Sequence, residues 1–192
     1  MGFGNVSERR SAPPQVGVSV VILALGPEDD AGNSAADSGN AANSAHSRLW
    51  LPLVKRVRQP FLGCWALPGG DLRSDRSLEQ SAYAALESTT DLHPRYLEQL
   101  YTFGGPTRSH GGLPMVSVVY WALVGQTEAA GFEDGDNVRW VPEDELPELA
   151  FDHRQIIDYA LLRLRSKIEY SDVATRLLGP TFTLRQLHGV YE

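Results

Sequence analysis

Apolar and polar residues alternate along the chain in two spacings, one typical of strands and one of helices. Residues 16–25 (VGVSVVILAL) form the longest apolar run of the chain and are rich in β-branched side chains, which is typical of a buried strand. Shorter runs predict further strands at residues 48–57, 97–103, 115–124 and 138–141. The second strand contains a proline, which cannot donate a hydrogen bond within a sheet. We therefore expect that strand to lie at an edge or to carry a bulge.

Helical spacing predicts two long helices. The first covers residues 77–90 and begins with Ser77 and Gln80, the pattern of a capping box. The second begins near Asp152, and two shorter helical segments follow at residues 172–178 and 183–191. The residues expected to face the core are Leu78, Ala82, Ala85 and Leu86 in the first helix, and Ile156, Tyr159, Ala160, Leu162 and Ile168 in the second.

The order of these elements indicates the fold class. Strands, a helix, more strands and a second helix predict an α/β (α+β) sandwich built on a mixed sheet. Residues 1–14 are polar and contain proline, so we expect a flexible arm. Residues 26–47 lack any large apolar side chain and cannot offset their ordering entropy by burial. They predict a mobile insertion, with a binding lid as the alternative.

Charge and cysteine content narrow the classes of partner. The net charge of −7 argues against a general nucleic-acid-binding surface, although a local basic patch remains compatible with it. The single cysteine, Cys64, excludes an internal disulfide and a cysteine-based zinc site. The apolar run at residues 16–25 is about half the length that a bilayer requires. We therefore expect a soluble, cytoplasmic protein without a membrane partner.

Residues 70–92 (GDLRSDRSLEQSAYAALESTTDL) resemble the Nudix box in their spacing. Gly70, Leu86 and Leu92 occupy its first glycine and its apolar positions. In that box, glutamates on one helix face bind Mg²⁺ or Mn²⁺ beside a pyrophosphate. The glutamate, arginine and late glycine positions hold Arg76, Ala84, Ala85, Ser88, Thr89 and Asp91 instead. The resemblance thus implies a Nudix-type α/β/α sandwich with a degenerate box, no bound metal and no catalytic residue.

The flanking segments resemble a narrower group. Pro60, Phe61, Gly63 and residues 65–70 (WALPGG) are similar to the entry to the box in Nudix proteins like ADP-ribose pyrophosphatases. A turn typical of that group is broken here into Arg108, Ser109, His110 and Gly111, so that one of its two arginines is kept. Two segments, residues 149–157 (LAFDHRQII) and 165–192 (RSKIEYSDVATRLLGPTFTLRQLHGVYE), are similar to the Nudix-related transcriptional regulators of NAD metabolism, the NrtR family.

This resemblance implies a function and a domain organisation. Residues 15–170 would be a Nudix-like ligand-binding domain, and residues 171–192 a linker and the first helix of a truncated winged helix-turn-helix. The family implies a homodimeric repressor of NAD-biosynthesis genes, whose DNA binding responds to ADP-ribose or a related NAD-derived nucleotide. Because no recognition helix is visible in the sequence, DNA binding is expected of a more complete protein. The direction of the effector response is left open.

Four charged or titratable residues are candidates for binding the ligand's phosphates. Arg56 ends a strand and could pair with two phosphate oxygens, or it could be solvated surface charge; Arg58 ranks below it. Arg76 replaces a box glutamate, and Arg108 lies in a loop rich in glycine and proline. His153 begins a helix, where the dipole favours an anion, but it could equally be a surface neighbour of the cap.

Three further candidates would shape the site. Trp65 could stack on adenine or fill the core. Gly69 and Gly70 could allow a close approach of ligand to backbone, or they could form a plain turn. Two other functions remain open beside the ligand sensor. One is an active Nudix hydrolase of ADP-ribose or a similar compound, with carboxylates recruited from Glu79, Glu87 or Asp91. The other is a dimeric scaffold without a ligand.

Restoring the missing charge tests the alignment with the box. Changing Ala85, Ser88 and Thr89 together to glutamate is expected to create Mn²⁺ affinity, because hard divalent cations bind clustered carboxylates. Titration of Mn²⁺ into the triple variant and the unchanged protein measures the gain. Equal affinity in the two proteins would show that these positions do not share one metal-facing surface.

Overall fold

The computed structural model describes residues 13–26, 48–90, 94, 96–108, 113–125, 134–168 and 177. Several expectations lie outside these residues: the arm except residues 13 and 14, the insertion except Gly26, and the tail except Leu177. Asp91 and the turn at residues 109–111 also lie outside them. Within the described part of the chain, no helix is both long and apolar enough to cross a bilayer.

Seven strands and two helices form the described structure. The five predicted strands and both long helices are present, with bounds within two residues of those expected. Strands β3 and β4 were not predicted, because two or three residues are too few to show a periodicity. The elements are β1 (Gln15–Leu25), β2 (Leu49–Lys55), β3 (Trp65–Ala66), β4 (Gly69–Asp71), α1 (Leu78–Thr90), β5 (Tyr96–Phe103), β6 (Met115–Val124), β7 (Val138–Pro142), a 3-10 turn (Glu143–Glu145) and α2 (His153–Ile168).

The strands form one mixed sheet in the order β3-β2-β1-β6-β5, with β4 also paired to β1 and β7 to β2. Strands β1 and β6 run parallel, in a register that pairs Gln15 with Met115 and Ala24 with Val124. The other strand pairs are antiparallel. The predicted α/β sandwich with a mixed sheet is therefore confirmed.

Side chains of β1 alternate between two cores. Val21, Leu23 and Leu25 belong to a cluster with α2, whereas Val20 and Ile22 belong to a cluster with α1. This follows from the two-residue period of a strand, which sends neighbouring side chains to opposite faces. Because helices cover both faces, apolar residues are needed at successive positions, which explains the unbroken apolar run at residues 20–25.

Helix α1 begins with the predicted capping box. The backbone N–H of Ser77 donates to Gln80 Oε1 at 2.8 Å, and the Gln80 N–H donates to Ser77 Oγ at 3.1 Å. Ala82 and Leu86 are buried as expected, and Leu78 and Ala85 pack partly against the same core. The cap thus fixes the start of the helix, and the apolar stripe fixes its rotation on the sheet.

The predicted face of α2 was partly wrong. Ile156 and Ala160 are buried, but Leu162 is 61% exposed and Tyr159 is 37% exposed. At 3.6 residues per turn, the stripe that contains Ile156 and Ala160 cannot also include Leu162, which lies on the solvent side. The remaining buried apolar positions of the helix are Ile157, Leu161 and Leu164, and Leu177 from beyond the helix joins the same core.

The expectation that β2 lies at an edge was wrong for the strand as a whole. Trp50 pairs with β1 on one side and with β7 on the other, and Val54 pairs with β3 and β7. Pro52 pairs with Trp140 of β7 and lies in the gap between the β1 and β3 contacts. The missing N–H of proline is tolerated because β2 is unpaired on that side at this point.

Two leucines of α2 test the assignment of its buried face. Leu164→Ala is expected to lower the free energy of unfolding by about 2–5 kcal/mol, because it leaves a cavity in the core. The matched change Leu162→Ala is expected to cost no more than about 0.5 kcal/mol, since its side chain is mostly exposed. Denaturant-induced unfolding of both variants measures the difference. Equal losses would contradict the rotation of the helix.

Candidate ligand-binding site

A cavity of about 530 Å³ opens where β1 and β2 diverge. These strands pair only at Ala24 and Leu25 of β1, whereas the stretch from Gly17 to Ser19 pairs with β4 instead. The space between them is closed by the loop after β2 and by the start of α2. The topology of the sheet therefore creates the cavity, and residues from distant parts of the sequence meet in it.

Positive charge dominates the cavity wall. Four cationic side chains line it, Lys55, Arg56, Arg58 and Arg108, against one carboxylate, that of Asp71. This local excess contrasts with the net charge of −7 for the whole chain. A concave surface with such an excess attracts anions, and phosphate oxygens are the partners that arginine recognises best.

Arg56 is held in place by its own loop. Its Nε donates to the carbonyl of Pro60 at 2.9 Å, and its guanidinium carbon lies 4.6 Å from the centroid of the Phe151 ring. Partial burial lowers the pKa of Arg56, but arginine stays charged because its ordinary pKa is far above neutrality. A guanidinium fixed in this way loses little further freedom when it binds a ligand.

Arg108 is buried and only partly paired. It is 4% exposed, and its Nη1 donates to Asp152 Oδ2 at 2.6 Å. Its Nε and the second carboxylate oxygen of Asp152 are buried and have no hydrogen-bond partner among the described residues. Burial lowers the pKa of Arg108, and the carboxylate of Asp152 opposes that shift. The pair connects the wall of the cavity to the residue that precedes α2.

His153 is a neutral hydrogen-bonding group. It is 5% exposed, and its Nδ1 accepts a hydrogen bond of 2.9 Å from the backbone N–H of Leu67. Burial, followed by the positive charges of Arg108 and Arg56, lowers the pKa of His153 to about 3. The bond to Nδ1 assigns the proton to Nε2. His153 lines the cavity and can therefore offer a hydrogen bond, but it carries no charge at neutral pH.

The two predicted glycines differ in what they accommodate. A Cβ at Gly69 would lie 2.4 Å from the carbonyl oxygen of Val18, so glycine is required there by the close approach of β4 to β1. A Cβ at Gly70 would meet no atom within 4 Å. Both residues line the cavity. The packing of β4 against β1 thus accounts for Gly69, whereas Gly70 leaves space beside the cavity.

Two predicted ligand residues lie outside the cavity lining. Trp65 is half-buried against the core of α2, and its carbonyl accepts the N–H of Ala150 at 2.8 Å. Arg76 is exposed ahead of α1, with its backbone N–H bonded to the carbonyl of Arg73. The cavity brings together Arg56, Gly69, Gly70, Arg108 and His153. For all seven residues, contact with a ligand stays a prediction.

Of the degenerate box positions, Ala84, Ala85, Ser88 and Thr89 lie on α1, and none of these four lines the cavity. Ser88 Oγ and Thr89 Oγ1 both donate to the carbonyl of Ala85, at 3.2 and 2.6 Å. Ala84 and Ala85 are half-buried. Among the described residues, no three histidine, cysteine, aspartate or glutamate side chains are grouped closely enough to hold a metal ion.

Two features of the cavity were missed from the sequence. The hydroxyls of Ser19 and Ser117 lie 3.0 Å apart, and both residues line the cavity. A serine inside each of two apolar strands was the available signal, since a buried hydroxyl needs a reason. Phe151, which lies under Arg56, has a φ of 57°, and no sequence pattern marks it. Arg58, which ranked below Arg56 as a candidate, also lines the cavity.

Comparison with known proteins identifies the family. Residues 42–160, more than half of the chain, match the model described as the NUDIX domain. The chain belongs to the Nudix family. The resemblance to the NrtR regulators is also confirmed, because the chain is 33% identical over 150 residues to the "ADPR responsive transcriptional repressor NtrR" of Acinetobacter baylyi. That match covers 76% of this chain and 60% of the repressor.

A second relative and one solved protein give further comparisons. The ADP-ribose pyrophosphatase of Methanocaldococcus jannaschii is 33% identical over 56% of this chain and 63% of its own. The chain thus spans less than two thirds of either relative. Shewanella oneidensis NrtR, solved with a 27mer DNA, is 34% identical with a TM-score of 0.71, covering 92% of this chain and 74% of NrtR. The NUDIX domain of the same protein, solved with ADP ribose, is 31% identical with a TM-score of 0.58. That match covers 83% of this chain and 94% of the NUDIX domain.

The buried histidine predicts a pH dependence of stability. Because the pKa of His153 falls from 6.5 to about 3 on folding, the unfolded chain binds more protons between these values. The contribution of neutral His153 to the free energy of unfolding is fully present above about pH 6.5. It is lost as the pH falls towards 3, by up to about 1.4 kcal/mol per pH unit. His153→Asn keeps an acceptor for Leu67 and cannot titrate, so its stability is expected to fall less steeply. Unfolding curves measured from pH 4 to 7 compare the two, and parallel pH profiles would contradict the prediction.

Proposed function

We propose that this chain is the effector-sensing domain of a transcriptional repressor of NAD-biosynthesis genes, and that it binds ADP-ribose or a related NAD-derived nucleotide without hydrolysing it. The observation that carries the proposal is the basic cavity, which lies apart from a box helix without the usual carboxylates. The similarity to a repressor described as ADPR-responsive, and to a NUDIX domain solved with ADP ribose, supports the choice of ligand.

The cavity suits the chemistry of such a nucleotide. A volume of about 530 Å³ falls within the usual range for small-molecule sites. A pyrophosphate carries negative charge that Arg56, Arg58 and Arg108 can meet, while Gly70 leaves room for the backbone to approach it. The Ser19 and Ser117 hydroxyls and the Nε2–H of His153 offer neutral hydrogen bonds to ribose hydroxyls. Charged and neutral donors thus correspond to the two kinds of polar group in the ligand.

The proposed lack of hydrolysis rests on the lack of clustered carboxylates at the box positions of α1. Hydrolysis by a Nudix box requires a divalent cation, and such cations need several anionic oxygen ligands. Ser88 and Thr89 are bonded to their own helix, and alanines offer no ligand atom. Glu79 and Glu87 are eight residues apart, about 12 Å along the helix axis, and therefore on different turns. The hydrolase alternative has the identity to an ADP-ribose pyrophosphatase in its favour, and the titration below separates the two.

DNA binding and dimer formation belong to the same proposal at the level of the complete protein. The similarity to an NrtR solved with DNA supports a DNA partner reached through residues beyond the Nudix domain. A homodimer is proposed because the resemblance to the NrtR family implies one, and two-fold dimers are the commonest soluble oligomers. The net charge of −7 argues against a general DNA-binding surface, so the DNA partner is proposed for the complete protein.

Calorimetric titration of ADP-ribose tests the proposal. In Mg²⁺, a saturable heat that returns to baseline is expected, and chelation of the metal by EDTA is expected to leave the affinity unchanged. Sustained heat that decays as ligand is consumed would establish hydrolysis instead. No heat would remove ADP-ribose as the effector.

Two arginine variants locate the binding in the cavity. Arg56→Gln is expected to weaken binding about ten-fold or more, which corresponds to about 1.4 kcal/mol. Arg154→Gln removes an equal charge from the exposed side of α2, where Arg154 pairs with Asp158, and is expected to leave the affinity unchanged. Equal effects of the two changes would mean that charge acts at long range and that the ligand does not contact Arg56.

A further inference from the structure

Arg108 and Asp152 form an ion pair that leaves donor and acceptor capacity unused inside the protein. One bond joins them, from Nη1 to Oδ2 at 2.6 Å, and the two side chains are 3% and 18% exposed. Arg108 Nε and Asp152 Oδ1 are both buried without a hydrogen-bond partner among the described residues. Native proteins rarely leave buried polar atoms unpaired, so this ion pair calls for an explanation.

The position of the pair connects two parts of the site. Arg108 follows β5 and lines the cavity, whereas Asp152 directly precedes α2 and lies between two lining residues, Phe151 and His153. The charge of Arg108 contributes to the low pKa of His153. Arg108 and His153 both line the cavity, so Arg108 belongs to the wall that an anion would meet.

We propose that Asp152 is a positioning residue for anion recognition, which anchors Arg108 through Nη1 and so holds its guanidinium in the cavity wall for a phosphate group of the ligand. The inference rests on the proposed function and adds a residue to that site. A guanidinium presents its donors in a rigid fork, so anchoring one nitrogen fixes the direction of the others.

The carboxylate is needed for this arrangement because of burial. A guanidinium that is 4% exposed has lost most of its hydration, and without a counter-charge it would leave its buried position for solvent. Asp152 therefore keeps Arg108 in the wall before any ligand arrives. Its expected effect is confined to ligands that carry an anionic group such as phosphate, because Arg108 contributes a positive charge to the wall.

A double-mutant cycle tests the inference, with ADP-ribose affinity measured by calorimetry. Asp152→Asn and Arg108→Gln are each expected to weaken binding about ten-fold or more. The double variant is expected to bind no more weakly than Arg108→Gln alone, since Asp152 acts through Arg108. Additive losses would overturn the positioning role, as would unchanged or tighter binding by Asp152→Asn. Asp158→Asn, on the exposed side of α2, is the control that should leave affinity unchanged.

Arg108→Lys keeps the test decisive if Asp152→Asn does not fold. Lysine retains the charge and the pairing with Asp152 but lacks the fork, so at least about a ten-fold loss is expected. Affinity equal to that of the unchanged protein would overturn the inference. Failure of the unchanged protein to bind ADP-ribose would instead count against the proposed function. Binding by the unchanged protein together with equal binding by Arg108→Lys would count against the positioning role alone.

Discussion

The structure depends on β1 being buried on both faces while it pairs in parallel with β6. Ten residue pairs join these two strands, and their side chains supply both hydrophobic cores. Each helix packs on the sheet through one of those cores, so the position of both helices depends on these two strands. A polar substitution in the middle of β1 would face an apolar helix whichever way it pointed. This double burial explains why the polar residues of the strand, Gln15 and Ser19, lie in its first half.

That first half is where the cavity forms. Gly17 and Ser19 face β4 and the open space instead of a covering helix, and Ser117 of β6 lies beside them. Along its length the strand therefore passes from the hydrophobic cores to the wall of the cavity, without a break in its pairing with β6. Cationic residues reach the same wall from loops, which can hold charge at the surface without burying it among apolar side chains. The sheet thus fixes the shape of the cavity, and the loops contribute most of its charged side chains.

Much of the fold could be predicted from the sequence because its signals are local. Capping by Ser77 and Gln80, the apolar run of β1 and the stripe of α1 each depend on a few neighbouring residues. The face of α2 was harder, because Ile157, Leu161, Leu162 and Leu164 are all apolar and only contact with the sheet distinguishes them. Strands β3 and β4 are too short to have a pattern of their own, and they exist because β2 and β1 offer pairing partners.

The site could be predicted less completely. Five of the seven predicted residues meet at the cavity because the resemblance to a family carries spatial information that periodicity lacks. Trp65 was ambiguous from the start, since a large aromatic residue suits a core as well as an adenine ring. Asp152 and Ser117 were missed because each gains its significance from a partner far away in sequence, Arg108 in one case and Ser19 in the other.

Leu177 shows that the Nudix core does not end with α2. Its side chain is 1% exposed and fills part of the same cluster as Ile156 and Leu164, although it lies beyond the last residue of the helix. Any exchange of tail segments between related proteins would therefore have to carry position 177 with the sandwich. A junction placed directly after the helix would remove a leucine from the interior and leave a void in its place.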